Sequence, residues 1–105
     1  MRKVFLIDVS GSMPLGSSDR LAWELMHELH VGDEFEVIYF DHQPYQVFDG
    51  LVSFSEQNVS IALLHQNQIA GGGTCLGDSL KIARKLIEGD EMGKVIILSD
   101  GYWAL

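Results

Sequence analysis

The sequence predicts an α/β fold, a mostly parallel sheet with helices on both faces. Two observations carry this. Val4-Phe5-Leu6-Ile7 and Val95-Ile96-Ile97-Leu98 are unbroken apolar runs near the two ends of the chain. A strand buried on both faces has this composition. Between the runs, apolar residues recur at helical 3/4 spacing, and strands that alternate with helices favour parallel pairing through right-handed crossovers.

The elements follow in order. Residues 3–9 form the first strand, and 10–17 (Ser-Gly-Ser-Met-Pro-Leu-Gly-Ser) are a loop by composition. Ser18 or Asp19 caps a helix over 19–30, with Leu21, Leu25, Met26 and Leu29 on one face and Gly32 ending it. Residues 35–40 are the second strand and 45–52 a third, more polar one. The short turn Asp41-His42-Gln43-Pro44 makes that pair antiparallel and puts the polar strand at the edge. Ser53-Phe54-Ser55-Glu56 has capping-box spacing before a helix over 55–68, with Val59, Ala62 and Leu63 in its apolar stripe. Gly71-Gly72-Gly73 breaks the backbone. A helix over 75–88 then presents Leu76, Leu80, Ala83, Leu86 and Ile87 and stops at Gly89. Residues 94–98 are the last strand.

A chain of 105 residues with 47% apolar and 21% charged residues fits one globular domain over 1–105, with an ordinary core. Seven Lys and Arg against fifteen Asp and Glu give a formal charge of −8. Such a surface repels phosphate backbones and anionic lipids, so nucleic acid and membrane are excluded as expected partners. The single cysteine, Cys75, allows no internal disulfide and no multi-thiolate zinc site. No segment is apolar enough to span a membrane, and Val4 to Ile7 is too short for a signal-peptide core. The expected location is the cytoplasm.

The chemistry gathers at strand ends. Asp8 ends the first buried strand, and Asp100 follows the last. Ligands of open α/β sheets bind beyond the carboxyl ends of the strands. Asp8-x-Ser10-x-Ser12 can turn three oxygens the same way, with Gly11 letting the backbone bend around them. Thr74 places a hydroxyl at a helix start. Two carboxylates and three hydroxyls suit a hard cation such as Mg²⁺, with Mn²⁺ and Ca²⁺ as the other candidates.

Asp8-Val9-Ser10-Gly11-Ser12-Met13, Thr74 and Ser99-Asp100-Gly101 resemble the von Willebrand factor type A (vWA) domain, whose metal-ion-dependent adhesion site combines Asp-x-Ser-x-Ser with a distant Thr and a distant Asp. The resemblance runs from residue 3 to 101. It implies a Rossmann-like three-layer sandwich with strand order 3-2-1-4, strand 3 being the antiparallel edge. It implies that Ser10, Ser12 and Thr74 contact the metal and that Asp8 and Asp100 act mainly through water. An acidic residue of a partner protein would complete the coordination. The family's further C-terminal strands are absent here. The strand at 94–98 is then expected as an apolar edge, completed by a homodimer, by a second chain or by a longer form of this one.

Two other functions stand beside this non-enzymatic module. One is a Mg²⁺-dependent phosphohydrolase of haloacid-dehalogenase type. That chemistry uses Asp-x-Asp, and Ser10 is a poor general acid. The other is an oligomer-forming domain with a degenerate site, against which all five ligand positions are filled. Asp41 is read as a turn residue, His27 and His30 as a solvated helix face, and Cys75 as a small buried residue.

Overall fold

The computed structural model describes residues 1–8, 17–40, 43–66, 76–98 and 103–104. Its elements are β1 (Arg2–Asp8), α1 (Ser17–Glu28), β2 (Glu34–Phe40), β3 (Pro44–Gln46), β4 (Val52–Ser53), α2 (Glu56–Gln66), α3 (Leu76–Ile87), β5 (Lys94–Leu98) and β6 (Trp103–Ala104). β1 lies at the centre of one mixed sheet of order β3-β2-β1-β5-β6, with β4 also on β2. It pairs in parallel with β2 and with β5, so the two apolar runs of the sequence are neighbours, Val4 to Ile7 opposite Val95 to Leu98. The expected order 3-2-1-4 is present.

Strand alternation divides the core into two layers. Phe5, Ile7, Phe35, Val37, Tyr39, Ile96 and Leu98 pack against Leu25 of α1, Leu29 just after it, and Val59 and Ala62 of α2. On the other side Val4, Leu6, Ile38, Phe40 and Ile97 pack against Ala83 of α3, with Leu76, Leu80, Leu86 and Ile87 around it. Val4 to Ile7 are all fully buried, and each such side chain contributes roughly 1.5–3 kcal/mol.

The helices form one to two residues away from their expected limits. Ser55, not Ser53, is the N-cap of α2: its hydroxyl accepts from the Asn58 amide at 3.1 Å. Gly32 and Gly89 adopt φ of 96° and 89° in the turns after α1 and α3, a backbone that L side chains avoid.

The third strand departs from expectation. The predicted 45–52 strand is split into β3 and β4, both antiparallel to β2. The split is caused by Glu36, a fully buried carboxylate in the middle of β2. It accepts hydrogen bonds from the amides of Val37 (2.8 Å), Phe48 (3.1 Å) and Gly50 (2.8 Å). Two of these donors belong to the bend between β3 and β4, where Asp49 takes φ 56°. Burial pushes the Glu36 carboxyl up from its ordinary value, against the opposite pull of the three amides.

The apolar edge expected at 94–98 is partly covered from within the chain. β6 pairs antiparallel with β5, Ala104 opposite Ile96 and Trp103 opposite Ile97.

Candidate functional site

The direction of each helix follows from its anchors. Lys3, near the start of β1, is buried and donates to the carbonyl of Glu28, the last residue of α1. Its ammonium also lies 2.9 Å from Asp33 Oδ2, which accepts from the His30 amide at 2.9 Å. α1 therefore ends at the amino edge of the sheet and begins, at Ser17, at the carboxyl edge. α3 is fixed alike: the Arg2 amide donates to Asp90 Oδ2 at 2.7 Å, and its guanidinium to the Glu88 carbonyl at 2.8 Å. Twelve helical residues rise about 18 Å, so Leu76 stands at the carboxyl edge. α2 runs the opposite way. It follows β4, which pairs with the amino end of β2, and the Tyr39 hydroxyl holds its Ala62 carbonyl at 2.5 Å. Tyr39 is the penultimate residue of β2, so α2 ends at the carboxyl edge.

One rim thus collects the ends of β1, β2, β5 and α2 and the starts of α1 and α3. It includes the junction between β1 and β5, and the two helices that begin at the rim, α1 and α3, pack on opposite faces of the sheet. Buried Ile7, Phe40 and Leu98 form an apolar floor beneath it. A low-dielectric floor strengthens electrostatic interactions above it.

Of the five residues expected to hold a metal, Asp8 lies within the described residues, as the last residue of β1, its backbone opposite Phe40. Ile7, one residue earlier, is opposite Leu98 of β5. Ser10, Ser12, Thr74 and Asp100 lie outside the described residues, as do Asp41 and Cys75. The described ends that flank them all stand at the carboxyl rim: Asp8 and Ser17, Gln66 and Leu76, Leu98 and Trp103. Among the described residues, no three His, Cys, Asp or Glu side chains gather as a metal site. None of the described helices is long and apolar enough to cross a membrane.

Sequence patterning did not single out Lys3, Asp33 or Glu36. The available signal for Glu36 was a lone charge inside the run Phe35-Glu36-Val37-Ile38. His27 is solvent-exposed, as expected, and its ring stacks on Trp23 at 4.7 Å.

Comparison with known proteins agrees with this architecture. The solved structure of a von Willebrand factor type A protein from Catenulispora acidiphila superposes with a TM-score of 0.66 at 22% identity, covering 91% of this chain and 25% of that one. A conserved hypothetical protein, BatB, from Bacteroides thetaiotaomicron gives 0.66 at 23% identity, covering 96% of this chain and 54% of that one. The vWF domain of the type V pili tip protein Mfa5 from Porphyromonas gingivalis gives 0.64 at 19% identity, covering 95% and 37%. This chain therefore spans between about a quarter and about half of these three solved chains. No curated protein matches it in sequence. The family model described as the von Willebrand factor type A domain matches residues 3–102. With nearly the whole chain inside that match and its sheet order as expected, the chain belongs to the von Willebrand factor type A domain family.

Proposed function

We propose that this vWA domain is a Mg²⁺-dependent protein-binding module. In this reading Ser10, Ser12 and Thr74 ligate the metal directly, Asp8 and Asp100 act through water, and an acidic residue of a partner protein completes the coordination. The observation that carries the reading is the parallel pairing of β1 with β5, Ile7 opposite Leu98. Asp8 is one residue past that pair on one strand, and Asp100 is two residues past it on the other. Adjacent parallel strands leaving the same edge deliver their next residues to one crevice.

The donor set fits the metal. Carboxylate and hydroxyl oxygens suit Mg²⁺ better than softer metals. The three hydroxyls add no charge, so the bound ion keeps a net attraction for a further carboxylate. When bound, Mg²⁺ supplies a hard centre with a position for that carboxylate. The chain's own contribution would be these five oxygens, offered at a rim where Ile7, Phe40 and Leu98 are buried. The set contains no His, Lys or Cys, the side chains that most often serve as base or activated nucleophile, which favours binding over turnover.

Calorimetric titration of Mg²⁺ into the wild-type protein and Asp8→Ala tests the proposal. The wild type is expected to bind saturably and the variant to lose that binding. Wild-type affinity retained in Asp8→Ala would defeat the reading.

A further inference from the structure

We propose that the outer face of α3 is a second contact for the same partner, a cationic ridge of Lys81, Arg84 and Lys85 that takes further carboxylates of the segment reaching the metal. This inference rests on the metal-dependent reading above.

The chain has seven Lys and Arg. Three of them are held at the amino edge of the sheet: Arg2 by the Glu88 carbonyl, Lys3 by Asp33, and Lys94 by Glu28 at 3.1 Å. Arg20 is on α1, its side chain outside the described residues. The other three fall within one stretch of five residues on α3. All three are exposed, and none makes an ion pair among the described residues.

Leu76, Leu80 and Ala83 face the sheet, so Lys81, Arg84 and Lys85, spaced i, i+3 and i+4, are neighbours on the far side. The helix dipole accounts for Arg84 and Lys85 in the last turn. It does not account for Lys81 at mid-helix. The exposed Asp78 and Glu88 flank the three on the same face, one turn before Lys81 and one turn after Arg84 and Lys85; between them the stretch 81–85 carries three cations and no carboxylate on a chain of charge −8.

The ridge also has a direction. α3 begins at the rim that carries the metal site and runs away from it. At a rise of about 1.5 Å per residue, Lys81 lies roughly 8 Å and Lys85 roughly 14 Å below Leu76. An extended partner advances about 3.3 Å per residue. Acidic residues about two and four positions beyond the metal-bound carboxylate therefore come level with the ridge, on the same face of an extended chain as that carboxylate. A long polyanion fits less well. Nucleic acid or an anionic bilayer would extend past three cations onto surface of the opposite preference.

The test uses two short labelled peptides in saturating Mg²⁺, read by fluorescence anisotropy. One carries a single Asp in a Gly/Ser background. The other adds Glu two and four positions after that Asp. The wild type is expected to bind the second about tenfold more tightly, with the advantage shrinking as salt rises. Lys81→Glu/Arg84→Glu/Lys85→Glu is expected to abolish the advantage while leaving Mg²⁺ binding unchanged. The triple Gln variant, which keeps the solvated character of the face, is expected to bring the two peptides level. Equal affinities in the wild type, or an advantage that survives in both variants, overturns the ridge alone. So does tighter binding of a single-stranded RNA of the same length. Peptide binding indifferent to both Mg²⁺ and Asp8→Ala overturns the metal-dependent reading instead.

Discussion

Lys3 and Asp33 hold opposite charges within the core boundary, at 4% and 6% exposure. Breaking such a pair leaves a buried charge without a partner, which is strongly destabilising. Burial alone would raise the Asp33 carboxyl, but hydrogen bonds from Lys3 and the His30 amide, with the charge of Lys3, hold it below the ordinary aspartate value of 3.8. The sign of the linkage follows. Above that value both folded and unfolded states are ionised, and the stabilisation is complete. As pH falls through it, the unfolded chain takes up a proton first, and stability is lost until the folded group also titrates. Thermal unfolding of the wild type is expected to show this loss on the acid side of pH 4. Asp33→Asn is expected to be less stable at neutral pH and to show a flatter acid limb. An unchanged acid limb in the variant would remove Asp33 from this role. Neither residue was legible in the sequence, because a Lys at a strand start and an Asp in a turn are ordinary exposed residues until tertiary packing brings them together.

At the scale of elements, the helices and the two apolar strands were legible because their periodicity reports burial directly. α2 has a polar face rich in Asn, Gln and Ser, which favour a helix weakly. Its support is tertiary: Val59 and Ala62 enter the core, and Tyr39 grips the Ala62 carbonyl. The third strand departs from its sequence pattern for a matching reason. Alternation over 45–52 suggested a continuous edge strand, whereas Glu36 draws the amides of Phe48 and Gly50 off the ladder. Glu36→Ala leaves three buried or half-buried amides without their acceptor, at about 1–3 kcal/mol for each that water does not reach. The variant is expected to unfold at lower denaturant, by roughly 2–4 kcal/mol in all. Hydrogen exchange should speed up at Phe48 and Gly50 before it does in β1. Uniform acceleration across the sheet would show that Glu36 serves the whole sheet and not this bend.

At the scale of the molecule, the sheet has one guarded edge and one partly guarded edge. β3 and β4 cap β2 with short pieces and a bend, a common defence against edge-to-edge pairing. β6 covers Ile96 and Ile97 of β5 alone. Self-association through the rest of that strand remains an expectation. It should appear in light scattering as a mass that grows with protein concentration. A monomer mass across the accessible range would mean that pairing within the chain closes the edge.

The sequence by itself determined the α/β class and the parallel sheet around the two apolar runs, because hydrophobic burial and chain connectivity leave few other solutions; the strand order came with the family resemblance. It also determined the family, since Asp8-x-Ser10-x-Ser12, Thr74 and Asp100 occur in the family's order, and the family model runs through 3–102. Tertiary structure decided which charges are buried, where the third strand breaks and what covers β5. Those outcomes depend on pairwise distances between residues far apart in the chain, which no local pattern encodes. The sequence supplied Lys81, Arg84 and Lys85 as an ordinary charged helix face. Their standing as the free cations of an acidic protein emerged once folding had tied Arg2, Lys3 and Lys94 to partners at the opposite edge.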